Sequence, residues 1–548
     1  MSIRKGIISI LSVIVLNIAL SGVLIRWDLT GDKRHTLHPA AKEQVRQLSE
    51  PLTVTLFLDG EMNSGFRRLR DAAYTTIQEM HRLNRNVSIR FLKEEEQPKE
   101  WQRLVDEGIE PVLVHEREQD GRSAQIYLWP FARIEYGNRN VVVQLLHQQR
   151  GLSAEENLNA SVENIEYAFA EALHTLKKET VGKVAFLEGH GELDERSVYD
   201  WCRALSKYFQ IDRGRIGSET DVLNDYEALI IADPQEPFSE TDKYIIDQYI
   251  MQGGKVLWLL NGVRFSGDML TDNGVTPIIA TDLRLTDQLF RYGVRINPVL
   301  VQDLQCLRIP VDVSTDPTRP HYQPIAWTYA PLLLTSEQSP ITHNLMQVST
   351  TFASCMDIVG GDDGLKKEVL LATSTASAVT SAPSEVDLSD LSIMRERFTQ
   401  AYLPVAVSIE GLFPSLYAHR SAPEGIKGQT EPLEQSRHTR QVVVASGNLA
   451  RNEWQQEQPL PVGYDRYSKT QFSNRDFLVN AVLWLTDDSG LISLRQKSVS
   501  LRLINSQTAQ RYRQTIQAVS IAAPLLILLL TGIVMIAVRR WRYTKKHN

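Results

Sequence analysis

Glu188-Gly189-His190-Gly191-Glu192 is the stretch of this chain whose residue types and spacing best fit chemistry. Two carboxylates flank an imidazole within five residues, a grouping that can bind a metal or act as an acid/base pair. The apolar run at residues 183–187 reads as a strand, and open α/β sheets bind ligands at the carboxyl ends of their strands. Glu188, His190 and Glu192 are therefore the candidate ligand loop. The competing reading is a glycine-rich strand-to-helix turn whose polar side chains cap the helix that follows.

Other chemical motifs are missing. No H-x-x-x-H accompanies the loop, and no G-x-S-x-G elbow supplies a nucleophile. Ala445-Ser446-Gly447-Asn448 follows a strand but reads as a Gly/Asn loop. No G-x-x-x-x-G-K-[ST] occurs, so the chain is not its own P-loop ATPase. The nearest cluster, Gly360-Gly361-Asp362-Asp363-Gly364-Leu365-Lys366, sets two acids where a phosphate would sit. Cys202, Cys306 and Cys355 form no C-x-x-C and no metal-ligand spacing. Cys202 shares an apolar helical stripe with Val198, Trp201, Leu205 and Phe209, which reads as core. Any one pair of the three is open to oxidation outside the cytoplasm. The expectation is a protein that binds rather than catalyses, with no catalytic residue, cofactor or metal.

The elements that would position the loop follow from periodicity. Residues 53–58, 87–91 and 111–115 read as strands, as do 126–136 and 141–146, the last two meeting at the hairpin signal Gly137-Asn138. Phe66, Leu69, Ala73, Ile77 and Met80 recur at helical spacing. Leu158, Val162, Ile165, Phe169, Leu173 and Leu176 mark a long closing helix. This order, βαβ, α, ββα over residues 34–178, predicts a thioredoxin-like α/β domain without its C-x-x-C. Residues 181–489 predict a larger α/β domain: strand 183–187, helix 198–209, strand 228–232, a helix opened by Ser239 and Asp242 and closed by Gly253-Gly254, and strand 255–260. Alternating strands and helices imply a parallel sheet covered on both faces. Later strands at 401–409 and 441–445 and a helix through Phe477, Leu478, Ala481, Val482 and Leu485 extend it across insertions. Residues 421–440, poor in large apolar side chains, predict a mobile loop, and residues 490–513 a polar membrane-proximal stalk.

Residues 6–25 and 519–538 are each twenty residues without a charge, long enough to cross a hydrocarbon core as helices. The first also has the charged start and small-x-small site of a signal peptide. Its apolar run continues past that site, so an uncleaved anchor is expected. Arg539, Arg540, Arg542, Lys545 and Lys546 follow the second span without an acid. Basic flanks stay inside, so both termini are expected in the cytoplasm and residues 26–513 in the periplasm, across an inner (cytoplasmic) membrane. The two tails hold seven positive charges and no acids, so the middle is more acidic than the whole chain's −7. That disfavours nucleic acid as a partner and leaves membrane lipid for the spans. Ser9, Ser12, Asn17 and Ser21 fall on about half the circumference of the first helix and are candidates for contact with a partner helix. Two spans form no transport path by themselves.

Blocks in order along the chain carry a resemblance. They are residues 28–37 (DLTGDKRHTL), 50–59 (EPLTVTLFLD), 186–192 (FLEGHGE), 247–257 (DQYIMQGGKVL), 291–297 (RYGVRIN), 340–345 (PITHNL), 474–480 (NRDFLVN) and 485–488 (LTDD). The chain resembles the GldG family, the gliding-motility-associated ABC transporter auxiliary subunits of Bacteroidota. The resemblance implies a GIFT-type α/β domain, a separate permease (GldF-like) and a separate ATPase (GldA-like), and no catalytic residues. Two rival readings stand beside it. One is a glycan- or envelope-binding scaffold using aromatics such as Tyr322, Trp327 and Tyr329. The other is a hydrolase centred on His190.

Overall fold

The computed structural model describes residues 36–496 and 511–544, apart from 61, 93–97, 107–108, 118–122, 148–152, 179–180, 313, 315–320, 362–363, 389–392 and 429–430. The first expected span, residues 6–25, lies outside the described residues.

The chain enters through α1 (Pro39–Arg46), β1 (Leu52–Leu56), α2 (Ser64–Leu83), β2 (Val87–Phe91) and α3 (Pro98–Asp106). Then come β3 (Val112–Arg117), β4 (Ser123–Leu128), β5 (Phe131–Tyr136), β6 (Arg139–Gln144) and α4 (Ala154–Lys177). Four strands form one sheet in the order β2-β1-β5-β6, parallel between β1 and β2 and antiparallel beyond. All five apolar positions expected on α2 are buried, and Gly137-Asn138 turns the β5/β6 hairpin. Residues 126–136 are not one strand. The chain breaks at Trp129-Pro130, where proline lacks a ladder donor, and β4 instead pairs with β3 in a separate ribbon.

α4 departs from the one-sided helix expected. Its predicted face packs on the sheet, while Tyr167 and Ala170 on another face pack against Ala41, Leu491 and Leu494. Residues 491–496 are thus a 3₁₀ turn held against α4 and not the start of a stalk, because Leu491 and Leu494 are buried apolar groups.

The larger sheet begins with β7 (Gly182–Leu187), α5 (Tyr199–Leu205), β8 (Phe209–Gly214), β9 (Ala228–Ala232), α6 (Glu240–Met251) and β10 (Val256–Leu259). It continues with β11 (Cys306–Asp312), β12 (Tyr322–Thr335), β13 (Lys366–Ala372), β14 (Pro404–Pro414) and β15 (Gln435–Val444), followed by α7 (Asn474–Thr486). The spatial order is β11-β12-β13-β14-β15-β10-β9-β7-β8. The five strands from β15 to β8 are mutually parallel. From β15 outward to β11 the pairing is antiparallel.

Every residue of β9 and β10 is buried, as a strand covered on both faces requires. α5 and α7 cover one face, with Trp201, Leu205, Phe477 and Val482 against Val184, Ile230 and Leu257. α6 covers the other, with Tyr244, Ile246 and Ile250 against Leu229, Ile231 and Trp258. Two expectations are corrected here. The helix expected over 198–209 stops at Leu205, and Phe209 opens the edge strand β8 beside β7. The expected loop 421–440 is a strand from Gln435 onward. Its polar residues extend the β14/β15 ladder, with Gln435, Arg437 and His438 exposed and Ser436 and Thr439 buried. Cys202, on α5, packs half-buried against the core beneath that helix, and all three cysteines are free.

α8 (Arg513–Thr544) is a separate unit. It is a 32-residue helix with Pro524 inside it. Its most apolar eighteen residues have a mean hydropathy of 2.8 and none of them is buried. Among the described residues it is the one helix long and apolar enough to cross a membrane.

Candidate functional site

The parallel strands run in the order second, first, third, fourth, fifth, so the chain reverses direction across the sheet between β7 and β9. In such sheets this reversal opens the crevice where ligands bind. The loops leaving β7 and β9 meet there. The backbone N–H groups of Gln235 and Glu236 both donate to the carbonyl of His190, at 2.7 and 2.8 Å. Leu193 N–H donates to Ala232 O at 2.9 Å. Gly191 has φ of 75°, and a side chain there would press on Gln235 Cβ, so glycine suits the turn that lets the loops close.

His190 is buried and stacks on Phe238, with ring centroids 3.8 Å apart. Its Nδ1 lies 3.1 Å from Glu192 Oε1 and its Nε2 lies 3.2 Å from Asp242 Oδ2. Asp242 belongs to the first turn of α6, where Ser239 is the N-cap and its Oγ accepts from Asp242 N–H. Burial lowers the His190 pKa, but hydrogen bonds to Asp242 and Glu192 and their charges outweigh it, raising it to about 9. Burial likewise pushes Asp242 up, and the bonds from His190 and Ser239 overcome it, leaving its carboxyl below its ordinary value. An imidazolium with both N–H groups engaged has no lone pair to act as a base at neutral pH. The arrangement is an ion triad that clasps the β7 loop to α6.

Of the three predicted loop residues, His190 and Glu192 come together and Glu188 does not join them. Glu188 turns to Arg213 on β8, whose Nε donates to its Oε1 at 2.7 Å. The other predicted contacts, Ser9, Ser12, Asn17 and Ser21, lie outside the described residues. Phe238 and Asp242 escaped the sequence reading as site residues, although Asp242 was legible as a cap. Their link to His190 spans about fifty positions and leaves no local pattern.

A second cluster lies farther along the same strand ends. Asp233, just past β9, holds a left-handed backbone at φ 57° and is buried. Asn261, past β10, donates to Asp233 Oδ1 at 2.5 Å and accepts from Gly447 N–H, past β15, at 2.9 Å. A Cβ on Gly447 would come within 2.3 Å of the Asp233 carboxyl carbon. Arg451 stands 3.6 Å from Asp233 Oδ2. Burial pushes Asp233 up to about 6, against the pull of Arg451 and of hydrogen bonds from Gln235 and Asn261. The crevice mouth is thus stitched by the chain's own side chains across three strands.

Elsewhere, Trp327 and Tyr329 pack half-buried around Phe352, and Gln302 Nε2 donates to Tyr329 Oη at 3.0 Å, while Tyr322 is exposed. Among the described residues no group of three or more His, Cys, Asp or Glu is arranged to hold a metal ion.

Comparison with known proteins adds the following. Residues 31–134 match a domain of unknown function. No curated protein matches the chain. Among solved structures the chain is similar to the mmIFT52 N-terminal domain, at 13% identity and a TM-score of 0.32, over 56% of this chain and 98% of that one. Residues 182–481, which hold the parallel sheet and both clusters, match the family described as ABC-type uncharacterized transport system. That match covers more than half of the chain, which therefore belongs to this family of ABC-type transport system auxiliaries.

Proposed function

We propose that the chain is a non-catalytic, membrane-anchored auxiliary subunit of a GldG-like ABC transporter complex. The observation that carries the reading is α8, a helix long and apolar enough to cross a membrane, within a chain of this family. A basic tail follows it, which supports an inner-membrane location with both termini in the cytoplasm and residues 26–513 in the periplasm. In this reading residues 34–178 are a thioredoxin-like domain and residues 181–489 a GIFT-type domain. Ser9, Ser12, Asn17 and Ser21 of the first span face a helix of a GldF-like permease, and a GldA-like ATPase supplies the energy. The loop at Glu188, His190 and Glu192 presents Glu188 to a partner while His190 and Glu192 keep the crevice shut. The clasped His190 favours binding over hydrolysis.

Co-purification of the full chain from native membranes in mild detergent tests this. A permease and an ATPase should elute with it in fixed ratio, and recovery of the chain alone would count against the proposal.

A further inference from the structure

α4 meets the edge of the parallel sheet without filling the seam. A groove of about 130 Å³ opens there, walled by three stretches far apart in sequence. One is the end of α4 from His174 to Lys178, one the turn Lys207–Phe209 between α5 and β8, and one the segment after α7 that reaches Ile492. Its floor is apolar: Phe209, Leu491 and Ile492 are buried and Leu483 is half-buried. A cavity near 150 Å³ with such walls holds a benzene-sized body. Clefts between packed layers are also where small-molecule sites concentrate.

The charges on the rim define what else an occupant needs. Lys178 already pairs with Glu227 at 2.7 Å. Asp487 accepts from the backbone N–H groups of Ser489 and Ile492, at 3.0 and 2.7 Å. Glu171 accepts from Tyr167 Oη–H at 2.9 Å. Burial, and then the Lys178 charge, hold His174 below its ordinary pKa, so it is neutral at neutral pH. Lys207 is exposed and makes no ion pair among the described residues. Among the described residues the groove therefore offers one uncommitted cation, Lys207, above an apolar floor.

We propose that this groove binds a small carboxylate with an apolar body, either a single ring or a short alkyl chain. The carboxylate sits on Lys207 and the body lies against Phe209 and Leu491. Such a ligand touches α4, the β8 edge and the segment after α7 at once, and so stiffens the seam between the two layers.

The test uses the full chain in phosphatidylcholine nanodiscs, with empty nanodiscs as the partition control. Benzoate and hexanoate are compared with benzamide, hexanamide and benzylamine by saturation-transfer NMR and by the shift in thermal unfolding midpoint. The carboxylates should saturate and raise the midpoint, with the amides and the amine at least fivefold weaker. Lys207→Gln should weaken carboxylate binding roughly five- to tenfold, the loss of one charge-assisted hydrogen bond, while Lys207→Arg retains it. Leu483→Trp should fill the groove and abolish the signal. The ligand-free midpoint of each variant reports whether the fold is kept. The proposal fails if the carboxylates show no saturable signal at millimolar concentration. It fails equally if benzylamine binds as tightly, or if Lys207→Gln leaves the affinity unchanged.

Discussion

α6 carries two acids five residues apart, one half-buried and one fully buried, and they are held in opposite ways. Asp242, in the first turn, faces an imidazolium and sits below its ordinary pKa. Asp247, in the middle, is fully buried and meets only neutral donors: Tyr292 Oη at 2.7 Å, Ser415 Oγ at 2.6 Å, Leu416 N at 2.9 Å and Gln248 Nε2 at 2.9 Å. Burial pushes Asp247 up despite those four bonds. Without a nearby cation, hydrogen bonds moderate the desolvation of a carboxylate but do not overturn it. The difference also divides the labour of α6. Its start closes the crevice, and its middle ties down two distant segments, around Tyr292 and around Ser415.

Breaking the Asp247 knot should have the largest effect. Asp247→Ala leaves four buried donors facing a void and should lower unfolding free energy by roughly 3–5 kcal/mol, read by urea titration of the full chain in detergent. If its effect does not exceed that of His190→Ala, the two acids are not distinct in kind.

His190→Ala should cost about 1–3 kcal/mol, since it strands Glu192 and Asp242 near each other without their cation. The pH dependence is the sharper test. His190 has a folded pKa of about 9, above its ordinary 6.5. Its contribution is therefore complete below pH 6.5 and is lost as pH rises through 9. The unfolding midpoint of the native chain should fall over that window and stay flat in His190→Gln. Asp242 acts with the opposite sign, its contribution fading as pH falls through its lowered value.

Gly447→Ala forces a methyl against the Asp233 carboxyl and should cost about 1–3 kcal/mol, with faster hydrogen exchange in the loops past β9 and β10. Ser239→Ala should be mildest, about 1 kcal/mol for a lost N-cap, and should leave the Asp247 side of α6 protected from exchange.

The sequence made some of this legible and hid the rest for identifiable reasons. α2, β9, α6 and β10 were readable because burial on one face or on two imposes a periodicity of its own, and Ser239 announced the start of α6. β8 was missed because Phe209 continues the apolar spacing of α5, although Leu205 already ends the helix. The first residues of β15 were missed because all six from Gln435 to Arg440 are polar, the buried Ser436 and Thr439 included, so the stretch carries no apolar signal. At the site, the loop Glu188 to Glu192 stood out by composition, whereas its meaning depended on Phe238 and Asp242, which only the fold brings near.

The fifth parallel strand, β15, docks beside β10 in space but follows it only after everything from Leu260 to Glu434. During synthesis β10 therefore emerges as a raw edge, fully apolar over Val256–Leu259, long before the strand that will cover it exists. Closure of so long a loop is slow compared with local pairing. Nascent chains of this protein thus carry a sticky half-sheet for the whole time the insertion is being made, and that interval is when a chaperone has the most to do.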